Sequence, residues 1–253
     1  MPAATSFTAI SGIGEVEAGA DLADMIGAAL DASALRLAPQ DVLVVAQKIV
    51  SKAEGRAVEL GTVKPSASAR DLAASTGKDP RLVELILSES DEVLRHKPGV
   101  IVVAHRLGFV MANAGIDRSN VKGAGETVLL LPKDPDASAE ALRRRFFDRT
   151  RTPIGVIISD SFGRAWRNGV VNVALGVAGL PALIDRRGEH DRYGRRLEVT
   201  QVAFADAIAA GAGLVMGEAG EGTPAVLVRG LAWDRAPTAG DVLIRPKAED
   251  MFR

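Results

Sequence analysis

The chain has 253 residues, with 31 Lys and Arg against 32 Asp and Glu, and its formal net charge of −1 argues against a polyanion-binding surface as the main function. Apolar residues make up 47% and charged residues 25%, the balance of a soluble globular protein with one large domain or two ordinary ones. Cysteine is absent, which excludes disulfides, thiolate metal sites and cysteine nucleophiles, and the scattered His96, His105 and His190 lack metal-ligand spacing.

No stretch reaches the roughly 20 apolar residues of a membrane span. The N-terminus has no basic segment followed by an apolar run. The expectation is a cytoplasmic protein with neither a membrane nor nucleic acid as partner.

In chain order, residues 6–11 read as a short extended segment ending in the glycine-bearing turn Gly12-Ile13-Gly14-Glu15. Leu22, Met25, Ile26, Ala29 and Leu30 recur at helical spacing and predict an amphipathic helix with one core face. Asp41–Ala46 predicts a buried strand. Polar and apolar residues then alternate through Gln47–Lys52, so Lys52 is expected to project from a strand end. Residues 66–77 and 80–95 predict two helices, the first closed by Gly77 and the second opened by Asp79-Pro80. Val100–Ala104 and Phe109–Ala112 predict an antiparallel pair across Arg106-Leu107-Gly108. Gly115–Val121 is a polar loop, Thr127–Leu131 a strand, and Asp134-Pro135 opens a helix exposing Arg143, Arg144 and Arg145.

The segment 155–169 organises the rest. Val156-Ile157-Ile158 is a short buried strand that is expected to stop at Ser159-Asp160-Ser161. Gly163 then permits a sharp turn, and Arg164, Trp166, Arg167 and Asn168 follow in one loop. A strand-end carboxylate suits a hard cation, and paired arginines suit phosphate or carboxylate groups. A polar turn with solvated arginines and a packed Trp accounts for the same residues. Val170–Leu180 predicts a strand with a bulge or bend at its glycines. Residues 186–196, rich in arginine, predict a solvated loop or hairpin, 200–216 a helix, and Ala225–Val228 the last strand. Irregular alternation with an antiparallel hairpin points to an α+β fold with mixed, partly antiparallel sheets and packed helices in two lobes. An inserted lobe at about 80–195 is the expected division.

Chemistry concentrates in the loops 12–16, 47–52, 115–121, 159–169 and 216–223. Gly217-x-x-Gly220-x-Gly222 can bare backbone N–H groups to phosphate, though taken alone it reads better as a flexible helix-to-strand turn. It is not a Walker motif, because no Gly-Lys-Ser/Thr follows. Lys52 can offset phosphate charge or simply lie on the surface. Asp117 can hold metal or cap an Asx-turn at Ser119-Asn120.

Taken together, Val50–Arg56, Gly115–Val121, Ser159–Gly169 and Asp191-Arg192-Tyr193-Gly194 resemble the coenzyme F420-0:L-glutamate ligase family over essentially the whole chain. The resemblance implies a GTP-dependent amide ligase using Mg²⁺ or Mn²⁺, with K⁺ as an optional ion. It would add L-glutamate to the terminal carboxylate of coenzyme F420-0, then extend the tail by γ-linkage. Carried over by motif, Asp117, Asp160, Ser161 and Glu218 hold metal. Ile13, Gly14, Glu15, Val16, Gln47, Lys52, Asn120 and the run Met216, Gly217, Glu218, Ala219, Gly220, Glu221, Gly222, Thr223 contact GTP. Asp160, Arg164 and Arg167 are the catalytic candidates.

The resemblance also implies an intertwined homodimer. Gly14 stands where the family often has proline, and Gln47 and Ser161 replace the Ser and Thr of some relatives while keeping an oxygen. Some actinobacterial members carry a fused C-terminal flavin-type domain, so the expectation here is one ligase domain over 1–253, without extensive tail elongation. Residue types leave open a GTP- or metal-sensing binding protein and a ligase for another carboxylate.

Overall fold

The computed structural model of the chain describes residues 4–120 and 125–251. Val121, part of one family-like segment, lies outside the described residues. Strand β1 (Ser6–Ala9) leads through the 12–16 loop to α1 (Leu22–Ala32). The Asp21 side chain caps α1, and Leu22, Ile26, Ala29 and Leu30 face the core as their spacing predicts. Strand β2 (Val42–Ala46) runs without a break into α2 (Gln47–Ala53). The expected strand extension through Lys52 is therefore a helix. Its buried residues are Gln47, Ile49, Val50 and Ser51, and Gln47, Val50 and Ser51 sit at i, i+3 and i+4, a helical spacing that outweighs the local alternation.

Next come β3 (Ala57–Glu59), α3 (Ala67–Thr76) and α4 (Pro80–Ser88). Gly77 closes α3 at φ 66°, and Asp79 with Pro80 opens α4, as expected. Helix α4 stops at Ser88, not near residue 95, because Ser88 and Ser90 hydrogen-bond back to Leu85 O and Ile86 O and compete with the helical ladder. Residues Ser90–Lys97 become β4, antiparallel to β5 (Val100–His105), which pairs with β6 (Val110–Ala112) across the predicted turn. Strand β7 (Thr127–Leu129) pairs with β3, and α5 (Pro135–Thr150) follows, capped by Asp134.

Strands β8 (Gly155–Arg164) and β9 (Arg167–Ala178) form one long hairpin. The strand does not end at Ser159, and Gly163 does not turn: it pairs with Val170 within the ladder, and the chain reverses at Ala165-Trp166, with Trp166 at φ 58°. Arg164 and Arg167 are thus opposed strand residues, because residues 167–173 offer a partner to every position up to Arg164. The expected irregularity in β9 is a bulge, since Ile158 faces Gly176 while Ser159 faces Ala174. A Cβ on Gly176 would lie 2.1 Å from Pro135 O, so only glycine lets β9 approach the start of α5.

Strands β10 (Leu183–Asp185) and β11 (Gln201–Ala203) flank the exposed 186–196 loop. Helix α6 (Phe204–Met216) and strand β12 (Ala225–Arg229) complete the regular elements used below.

The central sheet has five strands in the order β1-β12-β2-β8-β9, with β2 and β8 parallel and every other neighbour antiparallel. Helices α1 and α5 cover one face and α6 the other, so the fully buried Val42–Val45 and Val156–Ile158 read as continuous apolar runs. The fold is α+β with mixed, partly antiparallel sheets, as expected. A third core draws on residues between Leu60 and Val128, while residues 155–178 of the expected 80–195 unit lie in the central sheet. Phe109 packs edge-on against Phe162 at 6.0 Å and joins β6 to the hairpin. Among the described residues, no helix is long and apolar enough to cross a membrane.

Candidate active site

Ala46 and Ser159 end their parallel pairing side by side, at the carboxyl edge of the central sheet. Strand ends at such an edge leave loops free to meet a ligand. A cleft of about 1080 Å³ opens there. It brings together every site residue expected from the sequence: Ile13–Val16, Gln47, Lys52, Asp117, Asn120, Asp160, Ser161, Arg164, Arg167 and Met216–Thr223. Arg164 and Arg167 stand on its exposed side, and Arg164 donates to Asn168 O at 3.3 Å.

Hydrogen bonds sew the loops into one wall. Asp117 is held through its backbone, whose N–H donates to Leu129 O at 2.9 Å and whose carbonyl accepts from Leu129 N at 2.8 Å. Its carboxylate accepts from Gln47 Nε2 at 3.0 Å and faces Lys48 Nζ at 3.5 Å. The Ser119 hydroxyl reaches it only at 3.5 Å, a weak contact. Gln47 is itself fixed, its Oε1 accepting from Ser51 Oγ at 2.9 Å. Asn120 Nδ2 donates to Ala219 O at 3.1 Å and ties the 115–120 loop to the 217–223 loop. Lys52 Nζ pairs with Glu15 Oε1 at 2.7 Å, tying α2 to the 12–16 loop.

The 217–223 loop winds through positive φ at Gly217 (75°) and Gly222 (69°). Glu221 curls back to accept from Ala219 N at 2.8 Å, so a carboxylate already occupies one of the loop's backbone donors. Glu218 accepts from Asn172 Nδ2 at 3.0 Å. Asn172 lies flat on α6, where a Cβ at Gly213 would come within 2.1 Å of its amide nitrogen.

Electrostatics single out the two aspartates. Burial raises the Asp117 carboxyl above its usual range, while Lys48 pulls the other way. Burial, then the charge of Asp117, pushes Asp160 up to about 7, and Glu218 adds to the push. Among the described residues, no three of His, Cys, Asp or Glu converge into a ready coordination shell. The donor chemistry still fits a hard divalent cation: carboxylate and hydroxyl oxygens only, with like charges that a cation would relieve. Ser159 Oγ, buried at the cleft floor, has no hydrogen-bond partner among the described residues.

With this geometry in hand, the sequence matches the profile described as F420-0:Gamma-glutamyl ligase over residues 12–230. The chain belongs to this family. It is 50% identical over 250 residues to the "Coenzyme F420:L-glutamate ligase" of Methanothermobacter thermautotrophicus, covering 98% of each chain. It is 46% identical over 214 residues to the protein of that name from Methanocaldococcus jannaschii, covering 84% of each. It is 44% identical over 252 residues to that from Haloarcula marismortui, covering 97% of this chain and 94% of the other. All the cleft loops of this family member lie inside the matched span.

Three features of the cleft were not read from the sequence: Lys48, Asn172 and an apolar wall of Val102, Val110 and Ala112. Lys48 carried a signal only if 47–52 is read as a helix, which puts Gln47 and Lys48 together in its first turn. Asn172 and the apolar wall carried none, because their places depend on the bulged hairpin and on the docking of the β4-β5-β6 sheet.

Proposed function

We propose that the chain joins L-glutamate to the terminal carboxylate of coenzyme F420-0 in a GTP-dependent reaction through an acyl phosphate, then extends the tail by γ-linkage. The protein acts as a homodimer with Mg²⁺ or Mn²⁺, and K⁺ as a further ion. The observation that carries this reading is one cleft that brings together carboxylates, a glycine-rich loop and the apolar Val102, Val110 and Ala112. The names of the relatives support the ligation of L-glutamate.

A carboxylate and an amine do not condense in neutral water without activation. The acceptor carboxylate attacks the γ-phosphorus of GTP, a P–O bond to the β-phosphate breaks, and GDP leaves. The glutamate amine then attacks the acyl carbon, loses a proton, and expels inorganic phosphate that keeps one former carboxylate oxygen. Asp117, Asp160, Ser161 and Glu218 would hold the metal, which when bound supplies positive charge to phosphate oxygens. Lys52 and the backbone N–H groups of 217–223 offset the remaining phosphate charge, with Gln47, Asn120 and Ile13–Val16 lining the nucleotide. Arg164 and Arg167 orient the acceptor's phosphate or carboxylate by paired hydrogen bonds. The apolar wall excludes water from the acyl phosphate.

The test uses acceptor labelled with ¹⁸O in its terminal carboxylate, together with GTP and L-glutamate. The expected products are GDP and inorganic phosphate carrying one labelled oxygen. Pyrophosphate, or phosphate without label, excludes the acyl phosphate. No amide product at all separates a nucleotide-binding protein or a ligase for another carboxylate from this reading.

A further inference from the structure

We propose that Lys48 is a tethered counter-ion to Asp117 that must be displaced when a divalent cation binds there. The inference rests on Asp117 as a metal ligand. Lys48 sits in the first turn of α2, directly behind Gln47, and both side chains reach Asp117 across 70 and 69 residues of sequence (117 − 47 and 117 − 48). Its ammonium is 3.5 Å from Asp117 Oδ1 and donates to Ser119 Oγ at 2.9 Å. Only about a quarter of either side chain is exposed (29% for Lys48, 25% for Asp117), so this is no loose surface pair.

The arrangement solves a physical problem. Asp117 and Asp160 repel each other beside the same cleft, and two such carboxylates without a cation favour protonation or separation. Lys48 supplies one positive charge, which also favours the charged form of Asp160. A lysine is suited to this, since its ammonium is a point charge on a flexible stem and can swing away. A divalent ion at Asp117 gains two charges' worth of attraction but meets a cation already in place. The ammonium then turns to the anionic ligand of the cleft. Metal loading becomes an exchange of one cation for another, with Asp117 held in position throughout.

The experiment measures Mn²⁺ binding to the whole protein without nucleotide, by electron paramagnetic resonance of free Mn²⁺. Lys48→Met removes the competing charge and should tighten Mn²⁺ binding roughly tenfold. Lys48→Arg keeps the charge and should leave the wild-type Kd within a factor of about two, the spread expected of a partly exposed pair. A merely structural lysine would loosen binding on removal, so the direction of change is the readout. If Lys48→Met does not fold by circular dichroism, Lys48→Gln takes its place. Unchanged or weaker Mn²⁺ binding in the uncharged variant overturns the proposal alone. Wild-type protein that binds no Mn²⁺, or binding indifferent to Asp117→Asn, overturns the metal reading of Asp117 and this proposal with it.

Discussion

Two buried carboxylates in this protein live in opposite surroundings. Glu89, at the end of α4, accepts from Arg56 at 2.7 Å and from Arg106 at 3.0 Å, with His105 Nε2 at 3.6 Å. Burial alone would raise its carboxyl, but the imidazole and guanidinium groups around it win and hold it at about 2. Asp160 is pushed the other way, to about 7, because burial is reinforced by Asp117 and Glu218 and opposed mainly by Lys48 and one backbone donor. The first carboxylate is fully answered by the protein and fastens α4 to the β5–β6 turn and, through Arg56, to Leu131 O. The second is left wanting positive charge. A fold that satisfies one acid and underserves another makes the second a candidate for a positively charged ligand.

The sharpest test of that contrast is Asp160→Asn. It should lower ligation by roughly two orders of magnitude or more, the scale of one well-placed electrostatic contact. Without metal, the same variant should be more stable than the wild type. A carboxyl whose pKa is raised on folding gives full stability below its unfolded value, near 3.8, and loses it as pH rises through about 7. The stability gain of Asp160→Asn should therefore grow by roughly 2 kcal/mol between pH 5 and pH 8, followed by urea unfolding. A gain that is flat with pH would break the comparison.

Glu89→Gln should act in reverse. Because the folded pKa lies below the unfolded one, near 4.5, this group's stabilisation is present above pH 4.5 and lost as pH falls toward 2. The variant should lose about 3 kcal/mol at pH 7, leaving Arg56 and Arg106 without their partner, and the loss should shrink in acid. Ligation at a temperature where it stays folded should be near normal. The smallest effect on folding is expected from Lys52→Ala. Its partner Glu15 is 48% exposed, so the pair is worth less than about 1 kcal/mol and the melting temperature should hardly move. GTP affinity, read by calorimetry, should still fall roughly tenfold, as for loss of one charge-assisted contact. A large drop in melting temperature with unaltered GTP affinity would place Lys52 with Glu89, on the structural side.

The sequence was most legible where one physical signal acted alone. The apolar runs at 42–45 and 156–158 predicted buried strands, and the spacing of Leu22, Ile26 and Leu30 predicted the buried stripe of α1. Caps at Asp79 and Asp134 predicted helix starts to the residue. Reading failed where a long-range partner overrode a local cue. Gly163 signals a turn, yet Val170 gives it a ladder partner. Residues 90–95 carry no Gly or Pro to end the preceding helix, only the back-bonding Ser88 and Ser90, yet β5 captures them. The site loops were identifiable as segments because their residue types are unusual together. Their joining was not, since Asn120 meets Ala219 and Gln47 meets Asp117 only after folding.

The β8–β9 hairpin has a mechanical consequence. Its base at Val156–Ile158 is clamped in the core, and its tip at Trp166 is 82% exposed, so it is a beam fixed at one end. With a rise of about 3.3 Å per residue, Asp160 sits roughly 7 Å beyond the clamp and Arg164 roughly 20 Å. The same angular fluctuation at the root therefore displaces Arg164 about three times as far as Asp160. Phe162, braced against Phe109, stiffens the middle of the span and leaves only the arginine end to bend. One strand thus holds Asp160 close to the clamp and the arginines far from it, and substitutions near the tip can shift the arginines without moving Asp160.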